Sequence, residues 1–469
     1  MTLKYLLNNL KKEVKGISDD SRKIKKDFLF VAIKGLSVDG HKFIPQAIKN
    51  GAKIIVGEEN LKLSDVKYVK VKSSREALGI IASKFYSNPS DKLKIIGVTG
   101  TDGKTTTANL IYWILKTAGK KVGLISTINA KIGNKEYDTG FHVTNPEPLL
   151  LQELLSKMVK AKCEYAILEV TSHGLDQERV AGIKFDIGVL TNITHEHIDY
   201  HKTLKNYIAA KGKLFKGVKF AFLNENNASR ELIKPYINKK AKIISYSPYS
   251  LKSDIAKAIK RRFHESYNWE NASAAVEVAK KLKISQKHII DAINSFPALP
   301  GRMELIENKK NIKIIVDFAH TPNALKNVLK TLKGKKGSGK LIVVFGCAGE
   351  RDVKKRELMP KISIKMADVS IFTAEDPRSE KVENILDVMA NAAIKAGGKE
   401  NINFYKIPER GEAIYFAINK LAKKDDIVII CGKGHERSMA YNAVEYPWSD
   451  QEAVRLALRG KVKTIKWKT

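Results

Sequence analysis

Short runs rich in Ile, Val, Leu and Phe alternate with longer stretches of helical periodicity from about residue 94 to the end, which predicts an α/β protein built on mainly parallel sheets. Two further observations shape that expectation. The length of 469 residues suggests roughly three domains of about 150 residues each. Each apolar run also ends in small, polar or charged residues, and in open α/β sheets ligands bind beyond those strand ends. In chain order the strand-like runs are 93–99, 165–170, 186–193, 312–318, 341–347, 369–373 and 426–431. Boundaries are expected at 88–90 and 297–301, where prolines and a glycine interrupt the helical pattern. The expected domains are residues 1–90, 91–298 and 299–469. No solenoid repeat is visible.

Composition narrows the class of protein. Lys and Arg total 84 against 50 Asp and Glu, a formal net charge of +34. The lysines are scattered singly or in pairs such as Lys25-Lys26, Lys239-Lys240 and Lys309-Lys310, without a long basic tract. We therefore read the excess as solvated helix faces with attraction for small anions, not as a polynucleotide-binding stripe. A hydrophobic fraction of 43% supports buried cores and excludes disordered, collagen-like and disulfide-dense chains. Cys163, Cys347 and Cys431 sit in apolar stretches without C-x-x-C spacing, so neither a zinc site nor a disulfide framework is readable. A reducing, cytoplasmic setting fits. Residues 3–10 are apolar for only a few positions, and no run reaches the ~18 residues that span a bilayer, so a soluble, unexported protein is expected.

The strongest local signal is Gly100-Thr101-Asp102-Gly103-Lys104-Thr105-Thr106, between the apolar run 93–98 and a helical stretch expected from about Thr107. This is a P-loop in the context it requires. Glycines let backbone N–H groups approach phosphate oxygens, Lys104 reaches the terminal phosphates, and Thr105 can ligate Mg²⁺. It departs from G-x-x-x-x-G-K-[ST], because Val98 holds the first glycine position. A second cluster closes two later strands: Glu169 before Thr171-Ser172-His173-Gly174, and Thr191-Asn192 before Thr194-His195-Glu196-His197-Ile198-Asp199-Tyr200-His201. Carboxylate and imidazole beside a triphosphate site suggest metal ligands. Read alone, His195, His197 and His201 could equally hold zinc, shuttle protons or cap a loop.

From the P-loop through Glu169, Thr191-Asn192, His197 and Asp199-Tyr200-His201 to Ala209-Ala210-Lys211, the chain resembles the central domain of the Mur ligases, ATP-dependent amide-forming enzymes of peptidoglycan synthesis. The N-terminal stretch Asp20-Ser21-Arg22, 28–35 and Asp39-Gly40-His41 is similar to the uridine-binding domain of the UDP-N-acetylmuramoyl-tripeptide synthetase branch. That branch's order continues through Gly301-Arg302-Met303-Glu304, Asp317-Phe318-Ala319-His320, Gly346 to Asp352, Glu375-Asp376-Pro377-Arg378 and Gly432-Lys433-Gly434-His435-Glu436. The resemblance implies three α/β domains: a small uridine-binding domain, a central P-loop ATPase domain and a C-terminal Rossmann-like domain. It also implies a two-stage reaction, in which a carboxylate attacks ATP to give an acyl phosphate that an amino acid's amine then displaces.

The site residues follow from the same resemblance. Lys104, Glu169, His197 and Lys211 are the expected catalytic group, with Thr105 and Glu169 around one Mg²⁺, His197 at a second, and Lys211 carbamylated by CO₂. Without the motif, Lys211 would be read as an ordinary surface lysine. Asn268 and Asn271 are expected near adenine, Arg302 at the phosphates, and Asp317 with His320 at the ribose. The third domain's contribution implies that its closure completes the ATP site. Ser21 and Leu36-Ser37-Val38 would meet uridine and diphosphate, and Thr144, Asn145, Thr171, Gln177 and Arg179 the sugar-peptide. Thr144-Asn145-Pro146 here replaces the family's usual Thr-Thr-Pro.

Arg351, Gly432 and Glu436, with the loop Glu375-Asp376-Pro377-Arg378, are expected to hold the incoming amino acid. Arg378 could pair with the distal carboxylate that meso-diaminopimelate has and L-lysine lacks, which favours diaminopimelate. Asp376, where Asn is common, should attract a distal ammonium and weaken that discrimination. A further departure is the stretch 246–267, where a short, basic, helical segment replaces a longer one with extra strands, so the central sheet is expected to be trimmed at that edge. The expected partners are UDP-MurNAc-L-Ala-D-Glu, ATP and a diamino acid, for a monomer without membrane or nucleic-acid partner. The alternatives are L-lysine addition, a folylpolyglutamate-synthetase-like ligase, and a basic P-loop protein that binds nucleic acid. The last leaves Glu169, His197 and Lys211 unexplained.

Overall fold

The computed structural model describes residues 1–35, 38–140, 144–194, 196–442 and 444–465. The chain forms two compact units. Unit 1 comprises Met1–Asn192, Ile208–Leu251 and Ala272–Ala292, and unit 2 comprises Ile193–Tyr207, Lys252–Asn271 and Ile293–Thr469. Among the described residues no helix is long and apolar enough to cross a membrane.

Unit 1 carries two sheets. The first is all parallel, in the order β1 (Gly16–Ser18), β2 (Phe28–Val31), β3 (Ala52–Gly57), β4 (Lys67–Lys70). Helices Leu3–Glu13 and Ser74–Phe85 seal one face through Leu6, Leu10, Leu78 and Ile81, and helix Ile44–Lys49 seals the other through Ile44 and Ala47. The second sheet comprises β5 (Lys94–Thr99), β6 (Val122–Ile125), β7 (Ala130–Ile132), β8 (Lys135–Tyr137), β9 (Tyr165–Glu169), β10 (Ile187–Leu190), β11 (Phe220–Asn224) and β12 (Lys242–Tyr246), in the order β12-β11-β10-β5-β9-β6-β7-β8. All pairings from β12 to β6 are parallel, and β7 and β8 add an antiparallel edge. The interior strands are β-branched and aliphatic because both faces are covered.

Two strand glycines in that sheet fix the position of a later segment. A Cβ at Gly97 would come 2.6 Å from Leu214, and one at Gly188 would come 2.8 Å from Phe215. Their absence lets the 3₁₀ turn Lys213–Lys216 lie flat on the sheet, burying Leu214 to 2% and Phe215 to 0% exposure. Each such burial stabilises by about 1.5–3 kcal/mol. Lys211 reaches the sheet end because of this packing.

Unit 2 is built on β13 (Glu304–Ile306), β14 (Lys313–Asp317), β15 (Leu341–Phe345), β16 (Val369–Phe372), β17 (Phe404–Lys406) and β18 (Ile427–Cys431), in the order β13-β14-β18-β15-β16-β17. The strands are parallel except for the antiparallel edge strand β13. A hairpin of β19 (Ser438–Tyr441) and β20 (Val444–Pro447) follows. Apolar cores cover both sheet faces. Arg410, fully buried, forks onto Asp450 with Nε–Oδ1 at 2.8 Å and Nη2–Oδ2 at 2.7 Å, tying helix Arg410–Phe416 to helix Asp450–Leu458. Removing one partner of such a buried pair costs about 3–5 kcal/mol.

All seven expected runs contain a strand. The helix after the phosphate loop starts at Lys104 instead of about Thr107, because Gly103 takes a left-handed φ of +81° as its N-cap and turns the chain one residue before the lysine. After the edge strand β12, residues 246–267 contain the basic amphipathic helix Ser253–Arg262, as expected.

Candidate functional site

The phosphate loop of unit 1 is pinned by the end of β10. Asn192 accepts from Thr101 N at 2.8 Å through its carbonyl and from Asp102 N at 2.9 Å through Oδ1. The Thr191 hydroxyl and Asn192 Nδ2 donate to Asp102 O at 2.7 and 3.1 Å. Lys104 Nζ folds back onto Thr101 O at 2.7 Å. The Thr105 hydroxyl, 5% exposed, donates to Glu169 Oε1 at 2.9 Å, and Glu169, 1% exposed, accepts from Thr127 N at 3.0 Å through its other oxygen. Two adjacent buried oxygen ligands are the kind of set that hard Mg²⁺ takes. Lys211, expected from composition at the surface, is 1% exposed and donates to Gly100 O at 2.7 Å. The packing of Leu214 and Phe215 carries it inward.

Beside Glu169, the residues expected to hold the sugar-peptide form one connected set. Thr144 bonds Thr127 hydroxyl to hydroxyl at 2.9 Å, and Asn145 donates to Glu169 O at 2.8 Å while accepting from both the N–H and the hydroxyl of Thr171. Arg179 reaches Asn145 O at 2.8 Å, Gln177 Oε1 at 3.1 Å and the Glu147 carboxylate at 2.9 Å. Ser21, buried, opens a 3₁₀ turn capped by Asp20, and Val38 is exposed. Leu36, Ser37 and His195 lie outside the described residues.

In unit 2 Asp317 closes β14, and its carboxylate accepts from Met303 N at 2.7 Å and Ala319 N at 2.8 Å. Burial raises its pKa despite the opposing Arg302 charge and these two N–H donors. The Arg302 guanidinium lies over the Phe318 ring, 4.5 Å from its centre. Burial followed by the Asp317 charge pushes the Tyr267 phenol well up, so Tyr267 belongs to this cluster. On the same helix Asn271 donates to Asn268 at 3.0 Å. His197 caps helix Ile198–His201 with a left-handed φ of +55°. Next to it Glu196 is buried against Lys355 at 3.0 Å and His320 at 3.4 Å. Desolvation alone would raise its pKa, but Lys355, His197 and His320 outweigh it and hold the carboxyl well below the usual range.

The loop Glu375-Asp376-Pro377-Arg378, expected to hold the amino acid, is wound through two left-handed residues, Asp376 at φ +43° and Arg378 at φ +53°. Arg378 donates to Gly349 O at 2.7 Å. Arg351 is exposed, and partial desolvation followed by the Arg378 charge lowers its pKa. The Asp376 carboxylate, expected to attract a distal ammonium, already has internal partners. Its Oδ1 and Oδ2 each lie 2.8 Å from the fully buried Lys433 Nζ, and Oδ1 also accepts from Ala440 N at 2.9 Å. Lys433 also meets Glu436 at 2.6 Å, so its one positive charge is shared by two carboxylates. Pro377 is buried, and Gly432, at φ +112°, packs directly on the Glu375 carboxylate. Burial pushes the Glu375 pKa up to about 7, against His320, Arg410 and Lys433.

Sequence reasoning passed over four contributors. Thr127 follows β6, a strand not singled out, although the strand-end rule applied to it. Tyr267, Glu196 and Lys433 sit beside or inside the sequence motifs, and only their burial and partners separate them from their neighbours.

A strand, glycine loop and helix N-terminus backed by a buried Thr–Glu pair define a P-loop α/β protein. Three family patterns then match the chain in order: the Mur ligase family catalytic domain over residues 13–86, the Mur ligase middle domain over 98–290, and the Mur ligase glutamate ligase domain over 301–434. The chain is 38% identical over 469 residues to a UDP-N-acetylmuramoyl-L-alanyl-D-glutamate--2,6-diaminopimelate ligase of Fusobacterium nucleatum, covering 95% of this chain and 94% of that one. It is 37% identical to the enzyme of the same name from Bacillus cereus, covering 96% and 95%. A solved structure of a ligase with this name aligns with a TM-score of 0.62 at 29% identity over 95% of both chains. A MurF ligase from Thermotoga maritima, solved with ADP, shares the fold at a TM-score of 0.60 and 21% identity, over 96% and 98%. The chain belongs to the Mur ligase family.

Proposed function

We propose that this ATP-dependent ligase adds meso-diaminopimelate to UDP-MurNAc-L-Ala-D-Glu, with residues 1–90 binding the uridine end, 91–298 the ATP phosphates and 299–469 the amino acid. The reaction would take place in the cytoplasm, where ATP and the nucleotide-linked precursor are available. The observation that carries the choice of amino acid is the Asp376–Lys433 pair. With the Asp376 carboxylate engaged by Lys433 and Ala440 N, it is not free to recruit a distal ammonium, and the unusual residue at that position no longer argues for a plain diamine. Arg351, partly desolvated, feels the like charge of Arg378, offset in part by Asp199, Asp376 and Glu350, and its pKa remains lowered. A distal carboxylate would therefore be favoured beside the two guanidinium groups.

In the first stage the peptide's terminal carboxylate attacks the γ-phosphorus of ATP, giving an acyl phosphate and ADP. In the second the amine of diaminopimelate attacks the acyl carbon, phosphate leaves, and the amide forms with loss of the amine's proton. The main difficulty is bringing an anionic carboxylate to an anionic triphosphate. Lys104 and the loop's backbone N–H groups would neutralise and orient the phosphates. Thr105 and Glu169 would hold one Mg²⁺ and His197 a second, and these ions, when bound, would spread the phosphoryl charge. Burial supports carbamylation of Lys211, since an ammonium is costly at 1% exposure and an uncharged amine is the form that adds CO₂. Thr144, Asn145, Thr171, Gln177 and Arg179 would orient the sugar-peptide, and Asp317 would accept hydrogen bonds from the ribose.

Mass spectrometry of a reaction containing UDP-MurNAc-L-Ala-D-Glu, ATP, Mg²⁺ and diaminopimelate tests this. One diaminopimelate residue should be added per ADP formed. ADP formation without any mass increase would overturn the ligase reading.

A further inference from the structure

Glu196 is a buried carboxylate that the catalytic scheme leaves unused. Glu196 is 3% exposed, with Oε1 lying 3.0 Å from Lys355 Nζ and 3.4 Å from His320 Nε2, and Oε2 lying 3.9 Å from His197 Nε2. All four residues belong to unit 2. The three basic side chains come from the three stretches expected to carry its chemistry. Lys355 opens helix Lys355–Met366 and follows Arg351 of the amino-acid pocket by four residues. His320 follows the ribose candidate Asp317, and its Nδ1 donates to Phe318 O at 2.9 Å, so the ring is held from both sides. His197 is the metal candidate, and it begins its short helix immediately after Glu196.

A carboxylate buried in this way stabilises a fold poorly, because desolvation offsets most of the Coulomb gain and a well-packed apolar side chain would serve as well. A buried charge does fix geometry, since its cationic partners are drawn to one point and their separations are set by contact. We propose that Glu196 is a positioning residue that locks the amino-acid, ribose and metal segments of unit 2 together and cancels the Lys355 charge beside His197. The proposal deepens the ligase reading and rests on its assignment of His197. Without the carboxylate, Lys355 would stand uncompensated near His197 and oppose a divalent cation there.

The test compares Glu196→Gln, Glu196→Asp and the charge-balanced double variant Glu196→Gln/Lys355→Met. The first readout is Mn²⁺ titration by electron paramagnetic resonance with a non-hydrolysable ATP analogue. The second is steady-state ligation. Removing the charge alone should weaken Mn²⁺ binding about 10-fold and lower kcat at least 10-fold, while KM for the UDP-linked dipeptide stays within about 2-fold. Glu196→Asp keeps the charge, and the double variant restores neutrality, so both should bind Mn²⁺ within about 3-fold of the parent. Unchanged Mn²⁺ binding and kcat in Glu196→Gln would overturn the proposal while the parent's ligation stands. So would losses that affect Mn²⁺, the dipeptide and thermal stability alike in all three variants. If the parent does not ligate but the Mn²⁺ pattern holds, the ligase reading fails and the role of Glu196 survives.

Discussion

Between Gly100 and Thr106 order comes from the backbone, with loop N–H and C=O groups pinned by Thr191 and Asn192 and the helix starting at the lysine itself. Around Arg378 order comes from charge, with Asp376 and Glu436 both paired to the single ammonium of Lys433 under a loop that takes two left-handed turns. The phosphate loop is held through its own backbone groups by Thr191 and Asn192, so its geometry is expected not to depend on which amino acid is added. Charge pairing is tuned by single residues, so the second region is where we propose that substrate choice is set. Phosphate-loop changes should therefore alter the rate for every amino acid together, and pocket changes should alter the preference between amino acids.

The largest effect should come from the phosphate side. Lys211→Ala should lower kcat by about 10³-fold or more, with partial rescue by short carboxylic acids that replace the carbamate oxygens. Rescue is read as phosphate release against added acid, and full activity in the unrescued variant would remove the assignment. On the pocket side, Arg378→Lys should raise KM for diaminopimelate about 10- to 100-fold, because an ammonium cannot pair bidentately, with little change in the weak use of L-lysine. Equal changes for both amino acids would erase the contrast between the regions.

A separate effect, on stability and not on turnover, concerns pH. Glu375 has a folded pKa of about 7, above its unfolded value of 4.5. The folded state therefore holds the extra proton, and the associated stability is fully present below pH 4.5 and lost as pH rises through about 7. Glu375→Gln should remove that slope and stabilise the protein at pH 8 by up to about 3 kcal/mol, measured by denaturant unfolding at several pH values. The smallest expected change is Asn192→Ala, which removes two side-chain hydrogen bonds from the loop and should raise KM for ATP about 10-fold for every amino acid.

The strands were legible because each is a short apolar run ended by polar residues, a local pattern that tertiary packing reinforced at all seven positions. The phosphate loop was legible for the same reason, since its glycines, lysine and threonine are contiguous. The inward position of Lys211 was not legible from composition. It depends on Gly97 and Gly188 receiving Leu214 and Phe215, contacts between residues more than 20 positions apart. The role of Asp376 was likewise hidden, because Lys433 lies 57 residues away and nothing local to the loop announces the pair.

The central claim is that ATP turnover here is tied to one particular amino acid. Phosphate release with UDP-MurNAc-L-Ala-D-Glu and ATP, measured with meso-diaminopimelate, with L-lysine and with neither, tests it most directly. We predict sustained release with diaminopimelate, at least about 10-fold less with L-lysine, and background without an amino acid. Equal rates in all three would contradict the account.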